Sequence, residues 1–131
     1  MKSYEDLLSL AKSASNNSYS PYSKFSVGAA VLYESEKVYT GCNIENVSYG
    51  LSLCAERSAI AAAIDSGEKT KIKAIAIYSP NQKNCAPCGA CRQWLAEFAD
   101  ENCEVILEGK DSSPAVMTLD KIFPFGFKFE K

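Results

Sequence analysis

The stretch that decides the fold is residues 54–98, CAERSAIAAAIDSGEKTKIKAIAIYSPNQKNCAPCGACRQWLAEF. Its first part, Cys54 to Ser66, is rich in alanine and precedes Gly67, a residue suited to cap the end of a helix. Because this helix is apolar on most sides, we expect it to be buried. The β-branched and apolar run from Ile72 to Tyr78 predicts a strand, and Cys88 to Ala99 predicts a second helix. This alternation indicates parallel strands joined by right-handed crossovers.

The flanking residues add a helix and a hairpin before this stretch and short elements after it. Ser3 is a candidate N-cap for a first helix of about four turns. The other predicted elements are strands from Phe25 to Leu32, from Lys37 to Cys42 and from Cys103 to Leu107, a short strand beginning near Val116, and a short helix capped by Thr118. The first two strands are joined by a polar tip and predict an antiparallel hairpin. We therefore expect one α/β domain, residues 1–131, with a mixed sheet.

Composition excludes several classes of protein. The 131 residues include 14 basic and 16 acidic side chains and no histidine. A slightly acidic chain without a basic run lacks the charge of a nucleic-acid binder, and the absence of histidine excludes histidine-based triads. No apolar run approaches the ~20 residues of a membrane span, and no signal peptide is apparent, so we expect a cytoplasmic protein with no membrane partner. In that reducing compartment, six cysteines are more typical of metal binding or catalysis than of disulfides.

Two motifs at predicted helix N-termini carry candidate chemistry: Cys54-Ala55-Glu56 and Pro87-Cys88-Gly89-Ala90-Cys91. Cys88 and Cys91 are three residues apart and share a helix face, and the crossover spacing can bring Cys54 to the same place. Helix N-termini favour thiolates, and three thiolates on Zn²⁺ leave one tetrahedral position open, as in catalytic sites. Glu56 can then face the same point from the end of the helix, as a carboxylate that carries protons.

Arg57 and Arg92 each directly follow one of these motifs, and we expect both to donate hydrogen bonds to ligand sulfurs. The alternative is that they are surface cations. For the cysteines, the alternatives are buried apolar thiols or a closed structural zinc site. A closed site would need a fourth ligand from the remaining three cysteines, which are otherwise candidates for the core, and it would leave Glu56 unexplained. These three are Cys42, Cys85 and Cys103.

The motifs together resemble the cytidine deaminases of the small, homotetrameric, three-cysteine zinc type. The resemblance is carried by residues 20–30 (SPYSKFSVGAA), 41–46 (GCNIEN), 54–57 (CAER) and 88–93 (CGACRQ). It covers nearly the whole chain. It implies a three-layer α/β/α sandwich around a five-stranded mixed sheet, one zinc ion per chain, and hydrolytic deamination of free cytidine and 2′-deoxycytidine in pyrimidine salvage.

The resemblance also implies a role for each site residue. Cys54, Cys88 and Cys91 would bind zinc, and Glu56 would take a proton from the attacking water, deliver it to N3 and assist the departure of the amino group. The substrate-binding residues would be Phe25 beside the base, Asn43 and Glu45 on the ribose 3′-hydroxyl, the Ala55 N–H on the pyrimidine carbonyl, the Ala86 carbonyl on the leaving amine, and Phe127.

One position departs from the family pattern, and two aromatic residues are candidates for contacts between subunits. Ala86 stands where the family usually has serine, and because that position acts through its carbonyl, we expect the change to be tolerated. Phe127 matches an aromatic that reaches the active site of a neighbouring subunit, and Tyr49 is a weaker candidate for the same role. The phenylalanine-rich segment from Phe123 to Phe129 favours burial at a subunit interface, and therefore a homo-oligomer.

Three rival functions remain at this point. A deaminase of the same fold could act on blasticidin S or a free base, although a base has no hydroxyl for Asn43 and Glu45. A polynucleotide deaminase usually carries histidine in place of Cys54, and this chain lacks a basic patch. A zinc-stabilised interaction module would tolerate Glu56→Gln without loss of function.

Overall fold

The computed structural model describes residues 2–129; Met1, Glu130 and Lys131, at the two ends of the predicted domain, lie outside the described residues. The helices are α1 (Tyr4–Ser15), α2 (Ala55–Asp65), α3 (Gly89–Phe98) and the short α4 (Leu119–Ile122). The strands are β1 (Gly28–Tyr33), β2 (Val38–Cys42), β3 (Ile72–Tyr78), β4 (Ala99–Glu108) and β5 (Pro114–Thr118). A single turn of 3₁₀ helix spans Tyr49–Leu51.

The five strands form one mixed sheet in the order β2-β1-β3-β4-β5. β1 and β2 form the predicted antiparallel hairpin, with Ala30 opposite Thr40. β3 and β4 are parallel, as the crossover through α3 predicted, whereas β1 and β5 are antiparallel to their inner neighbours. The mixed sheet expected from the sequence is therefore confirmed.

Helices cover both faces of the sheet. On one face, Leu7 and Ala11 of α1 pack with strand residues such as Leu32 and Ile106. On the other face, α2 and α3 contribute Ile60 and Leu95 to a larger cluster. All six residues of β1 are buried because the strand lies between two neighbours and beneath two helical layers. The arrangement is the three-layer α/β/α sandwich that the sequence predicted.

The structure corrects the predicted extent of some elements. α1 is capped by Ser3 as predicted, since the Ser3 hydroxyl accepts the N–H of Asp6 at 3.0 Å and the Asp6 carboxylate accepts the N–H of Ser3. The strand predicted from Phe25 begins only at Gly28. α2 is buried along one face, whereas its Ile64 is 46% exposed, so the prediction of burial on most sides was too broad.

The hairpin and α2 approach each other closely at Gly41. A Cβ atom at this position would lie 2.4 Å from the Ala59 nitrogen and 2.9 Å from the Ala55 carbonyl oxygen. Both are backbone atoms of α2, which cannot move aside as a side-chain end can. Glycine at this position therefore sets how close the first turns of α2 lie to the sheet.

A buried carboxylate ties the hairpin to the segment before β3. Glu68 accepts hydrogen bonds from the hydroxyls of Ser35 at 2.7 Å, Tyr39 at 3.1 Å and Thr70 at 2.6 Å, and from the Thr70 N–H. The hydrogen bonds from Thr70 and Ser35 are the main causes that lower the pKa of Glu68 to about 2. This carboxylate is an anchor of the fold, since each of its oxygens already has partners.

Candidate active site

The ends of two helices bring three cysteine sulfurs together. Cys54 and Cys88 are the N-caps of α2 and α3, and Cys91 lies in the first turn of α3. The Cys54 and Cys88 sulfurs are 4.0 Å apart, and all three sulfurs lie within 4.8 Å of one another. The N-terminal partial charge of each helix favours the thiolate form at this point.

The geometry and chemistry of this cluster fit a zinc ion. Tetrahedral Zn²⁺ with Zn–S bonds of about 2.3 Å separates its sulfur ligands by about 3.8 Å. The Cys54–Cys88 separation of 4.0 Å is close to that value, and the other two separations are at most 4.8 Å. Cys85 is outside the three-sulfur cluster, and burial raises its pKa to about 11, which disfavours the thiolate form. Among the described residues, the cluster is therefore an open set of three cysteines and not a closed four-cysteine site.

Arg57 contacts a sulfur of the cluster, as the sequence predicted. One of its terminal nitrogens donates to the Cys54 Sγ at 3.3 Å. The pKa of Cys54 is lowered, first by its hydrogen bond with the Cys91 thiol and then by the Arg57 guanidinium. The pKa of Cys91 is raised by the same hydrogen bond and by burial. Arg57 thus supplies the positive charge that a cluster of thiolates needs.

The prediction that Arg92 also donates to a sulfur is wrong. The Nε of Arg92 donates to the Pro87 carbonyl at 2.8 Å, and a terminal nitrogen donates to the Ile122 carbonyl at 2.7 Å. Its side chain therefore fastens the segment before α3 to α4. This contact fixes the backbone that precedes Cys88 and does not touch the sulfurs.

Glu56 lies in the first turn of α2 and is only 5% exposed. It lines the same cavity as Cys54 and Cys88. Burial, as the largest cause, raises the pKa of Glu56 to about 7. A carboxyl group with such a pKa can both accept and donate a proton near neutral pH. The sequence argument that Cys54 and Glu56 face one point off the helix end agrees with this placement.

The cavity in front of the cluster has a volume of about 420 Å³. Of the substrate-binding residues predicted from the sequence, it brings together Phe25, Asn43, Glu45, Ala55 and Ala86. Within residues 2–129, its lining contains two carboxylates, those of Glu45 and Glu56, and no lysine or arginine. The carboxylic acids in the described cavity lining are therefore not balanced by a basic side chain.

Asn43 and Glu45, just beyond β2, hold the loop of residues 18–27 beside this cavity. The Asn43 Oδ1 accepts the Val27 N–H at 2.9 Å and the Ser18 hydroxyl at 2.5 Å, and its Nδ2 donates to the Phe25 carbonyl at 2.7 Å. The Val27 N–H and the Phe25 carbonyl therefore bond to a side chain and not to the backbone of a neighbouring strand, in agreement with the start of β1 at Gly28. One N–H of Asn43 remains for a further acceptor.

The carboxylate of Glu45 is bound to the same loop. Its Oε1 accepts the N–H groups of Tyr22 at 3.0 Å and Ser23 at 3.1 Å, and its Oε2 accepts the Ser23 hydroxyl. The Ser23 hydroxyl is the largest cause that lowers the pKa of Glu45. An oxygen with two lone pairs is filled by two donors, so the position that remains open is on Oε2.

Two aromatic side chains that were predicted to contact a neighbouring subunit are exposed on this chain. Phe127 is 72% exposed and Tyr49 is 73% exposed, and neither lines the cavity. The Phe127 carbonyl accepts the side-chain N–H of Gln93 at 3.0 Å, which holds the C-terminal segment against α3. The prediction that these side chains reach a neighbouring subunit stays a prediction.

Some residues of the cavity were missed by sequence reasoning. They share small or apolar side chains without a motif of their own: Ser23, Val27, Ser52, Leu53 and Cys85. Cys85, which was expected in the core, packs against the larger core cluster and also lines the cavity. Its position three residues before Cys88, at the entrance to α3, was the available signal that it would face the site.

A three-cysteine cluster at two helix N-termini, with a buried carboxyl group beside it, defines a zinc-binding deaminase class. Comparison with known proteins agrees. The sequence model of the cytidine and deoxycytidylate deaminase zinc-binding region matches residues 1–107. A cytidine deaminase from Sporosarcina psychrophila is 40% identical over 126 residues, which are 96% of this chain and 92% of that protein. The chain belongs to the cytidine deaminase family.

Solved structures give the same result for the fold. A crystal structure of cytidine deaminase from Burkholderia pseudomallei is 38% identical, with a TM-score of 0.88, and the match covers 96% of this chain and all of that one. Cytidine deaminase from Mycobacterium tuberculosis is 35% identical, with a TM-score of 0.86, over 98% of this chain and all of that one.

Among the described residues, no helix is long and apolar enough to cross a membrane.

Proposed function

We propose that this chain catalyses the hydrolytic deamination of free cytidine and 2′-deoxycytidine to uridine and 2′-deoxyuridine with release of ammonia. The observation that carries the proposal is that the buried Glu56 lines the same cavity as Cys54 and Cys88, two members of the open three-cysteine cluster. Membership of the cytidine deaminase family supports the choice of substrate.

Cys54, Cys88 and Cys91 would hold one zinc ion per chain. When bound, zinc supplies a Lewis acid that lowers the pKa of water and so provides a nucleophile at neutral pH. Arg57 offsets part of the negative charge of the three thiolates through its bond to the Cys54 sulfur. The N-terminal ends of α2 and α3 offset more of it.

Glu56 carries the protons of the reaction. It takes one from the attacking water and gives it to N3 as the C4–O bond forms. It then takes the remaining hydroxyl proton and gives it to the amino nitrogen, so that the C4–N bond breaks and ammonia leaves. Burial that raises the pKa of Glu56 to about 7 suits both transfers, because the group is then neither a strong acid nor a strong base.

The base and the sugar would each find partners on the cavity wall. The N–H of Ala55 belongs to the first turn of α2, where N–H groups lack helical partners, and would bind the pyrimidine carbonyl. Phe25 would pack beside the base, and the Ala86 carbonyl would accept from the leaving amine. The open N–H of Asn43 and the open oxygen position of Glu45 offer one donor and one acceptor, which together complement the ribose 3′-hydroxyl.

Charge favours a nucleoside over a nucleotide. A 5′-phosphate adds about two negative charges, and the described cavity lining offers it no lysine or arginine and already holds two carboxylates. Like charges in a partly enclosed site repel each other strongly. The proposal is therefore cytidine and 2′-deoxycytidine, and not deoxycytidylate.

The proposal includes a homotetramer in the cytoplasm. Phe125 and Phe129 are exposed together with Phe127 at the C-terminal end of the described chain, an apolar patch of the kind that subunit contacts bury. Phe127 would complete the active site of a neighbouring subunit. A reducing compartment keeps the three ligand thiols free to bind metal.

The test is an ultraviolet absorbance assay of purified, zinc-loaded protein with cytidine, 2′-deoxycytidine, deoxycytidylate, cytosine and blasticidin S in parallel. The proposal predicts loss of absorbance with the two nucleosides, and rates at least about a hundredfold lower with the other three compounds. Turnover of cytosine or blasticidin S at the nucleoside rate would contradict the substrate assignment. Zinc-loaded protein that leaves cytidine unchanged would contradict the function.

A further inference from the structure

Ser23 lines the cavity beside Glu45, one of the residues proposed to bind the sugar. Its hydroxyl donates to the Oε2 of Glu45, and its backbone N–H donates to the Oε1 at 3.1 Å. The same hydroxyl accepts the N–H of Phe25 at 3.0 Å. One side chain therefore links the carboxylate to the backbone of the aromatic residue on the same wall.

The direction of the carboxylate's last open position depends on this serine. Two backbone N–H groups, those of Tyr22 and Ser23, fill the lone pairs of Oε1. Oε2 has one lone pair in use, by the Ser23 hydroxyl, and one left over. Together with these two N–H groups, the Ser23 hydroxyl therefore fixes where the remaining lone pair of Glu45 points.

The backbone between the two contacts is held in an unusual conformation. Lys24, between Ser23 and Phe25, has φ of 59°, in the left-handed region that side chains other than glycine rarely occupy. Its N–H donates to the Ser20 carbonyl at 3.0 Å. A residue other than glycine keeps this conformation only where surrounding contacts hold it. Here the Ser23 hydroxyl bonds to the Glu45 carboxylate and also accepts the N–H of Phe25, so it holds the residues on both sides of Lys24.

We propose that Ser23 is a positioning residue for sugar recognition: by holding the Glu45 carboxylate and the Phe25 backbone together, it aims the open oxygen position of Glu45 at a substrate hydroxyl. The inference rests on the proposed function, because it concerns how the same cavity recognises a nucleoside. Ser23 acts through Glu45 and takes no part in the proton transfers. Its loss should therefore weaken selection for the hydroxyl more than it slows the chemistry.

The experiment measures selection for the 3′-hydroxyl separately from the overall rate of deamination. We define the 3′-hydroxyl ratio as kcat/KM for cytidine divided by kcat/KM for 3′-deoxycytidine. Ser23→Ala should lower this ratio about tenfold, the value of one charge-assisted hydrogen bond, with a less than threefold change in kcat/KM for 3′-deoxycytidine. The corresponding ratio for 2′-deoxycytidine reports any general effect on the sugar site.

Four further variants make the test specific. Ser23→Thr keeps the hydroxyl and should keep the ratio within about twofold of the starting protein. Ser20→Ala removes a hydroxyl from the same loop that contacts the Ser18 and Ser26 hydroxyls and not Glu45, so it should also leave the ratio unchanged. Ser23→Ala added to Glu45→Gln should lower the ratio no further than Glu45→Gln alone, since residues that act through one contact are not additive.

The outcomes separate this inference from the proposed function. Turnover of cytidine by the unchanged protein, with equal 3′-hydroxyl ratios in Ser23→Ala and Ser20→Ala, would overturn the role of Ser23 and leave the deaminase standing. A 3′-hydroxyl ratio near one in the unchanged protein would also overturn it, because there would be no selection to aim. Absence of cytidine turnover in zinc-loaded protein would instead refute the proposed function.

Discussion

Replacing Arg92 with alanine tests whether this residue is a backbone brace and not a contact of the metal site. Its guanidinium makes two hydrogen bonds, 2.8 Å to the Pro87 carbonyl and 2.7 Å to the Ile122 carbonyl. A hydrogen bond from a charged donor contributes about 1.5–3 kcal/mol to stability. Because Arg92 is half-buried, water replaces part of each bond. We therefore expect Arg92→Ala to lower the free energy of unfolding by about 2–4 kcal/mol.

The assay is urea unfolding of metal-free protein at one fixed protein concentration, because association of copies, as proposed above, would make stability depend on concentration. Arg92→Lys should lose roughly half as much as Arg92→Ala, since an ammonium group cannot span the two carbonyls as the planar fork does. Arg57→Ala provides the contrast: it should reduce zinc affinity more than Arg92→Ala does, since Arg57 bonds to the Cys54 sulfur. A surface substitution ordinarily changes the free energy of unfolding by no more than about 0.5 kcal/mol. If Arg92→Ala has no larger effect than that, Arg92 is not a brace.

Three other predictions concern the metal cluster, the helix contact and the buried carboxylate. Cys88→Ala should leave the purified protein with little zinc by atomic absorption and lower its melting temperature; retention of a full complement would indicate other ligands. Gly41→Ala should destabilise by about 1–3 kcal/mol or more in urea unfolding, because its Cβ would lie 2.4 Å from the Ala59 nitrogen; an unchanged midpoint would show that α2 can move. The pKa of Glu68 is about 2 in the folded protein, below its ordinary value of 4.5. The contribution of Glu68 to the free energy of unfolding is therefore complete above pH 4.5 and is lost as the pH falls toward 2. Unfolding of Glu68→Gln should therefore depend less on pH in that range, and an identical acid profile would contradict this.

Much of the fold could be predicted because the decisive signals are local. The boundaries of β3 were predicted to the residue, since a β-branched run stands between polar segments. Gly67 ends the segment of α2 with φ of 89°, as a C-terminal glycine should. The cysteine cluster followed from the same logic, because Cys54 and Cys88 stand at helix starts and a crossover brings such ends together.

The errors arose where contacts join distant parts of the chain. Arg57 lies three residues after Cys54 on the same helix, so sequence spacing correctly predicted its contact with the sulfur. Arg92 is a neighbour of Cys91 in sequence, but its partner Ile122 lies 30 residues away and could not be found by spacing. The bonds from the Asn43 side chain to the Val27 N–H and the Phe25 carbonyl are long-range contacts of the same kind, and they lie where the predicted start of β1 was wrong.

The central claim is that Glu56 carries protons beside a metal held by three cysteines, and one variant tests it most directly. Glu56→Gln preserves size and hydrogen bonding but cannot accept a proton, and Glu101→Gln is a matched control on the exposed part of β4, outside the cavity. The measurement is kcat for cytidine together with zinc content per chain. We predict an unchanged zinc content in both variants, with kcat lowered by about 10²–10⁴-fold in Glu56→Gln alone. Zinc-loaded Glu56→Gln that deaminates cytidine at close to the original rate would contradict the account.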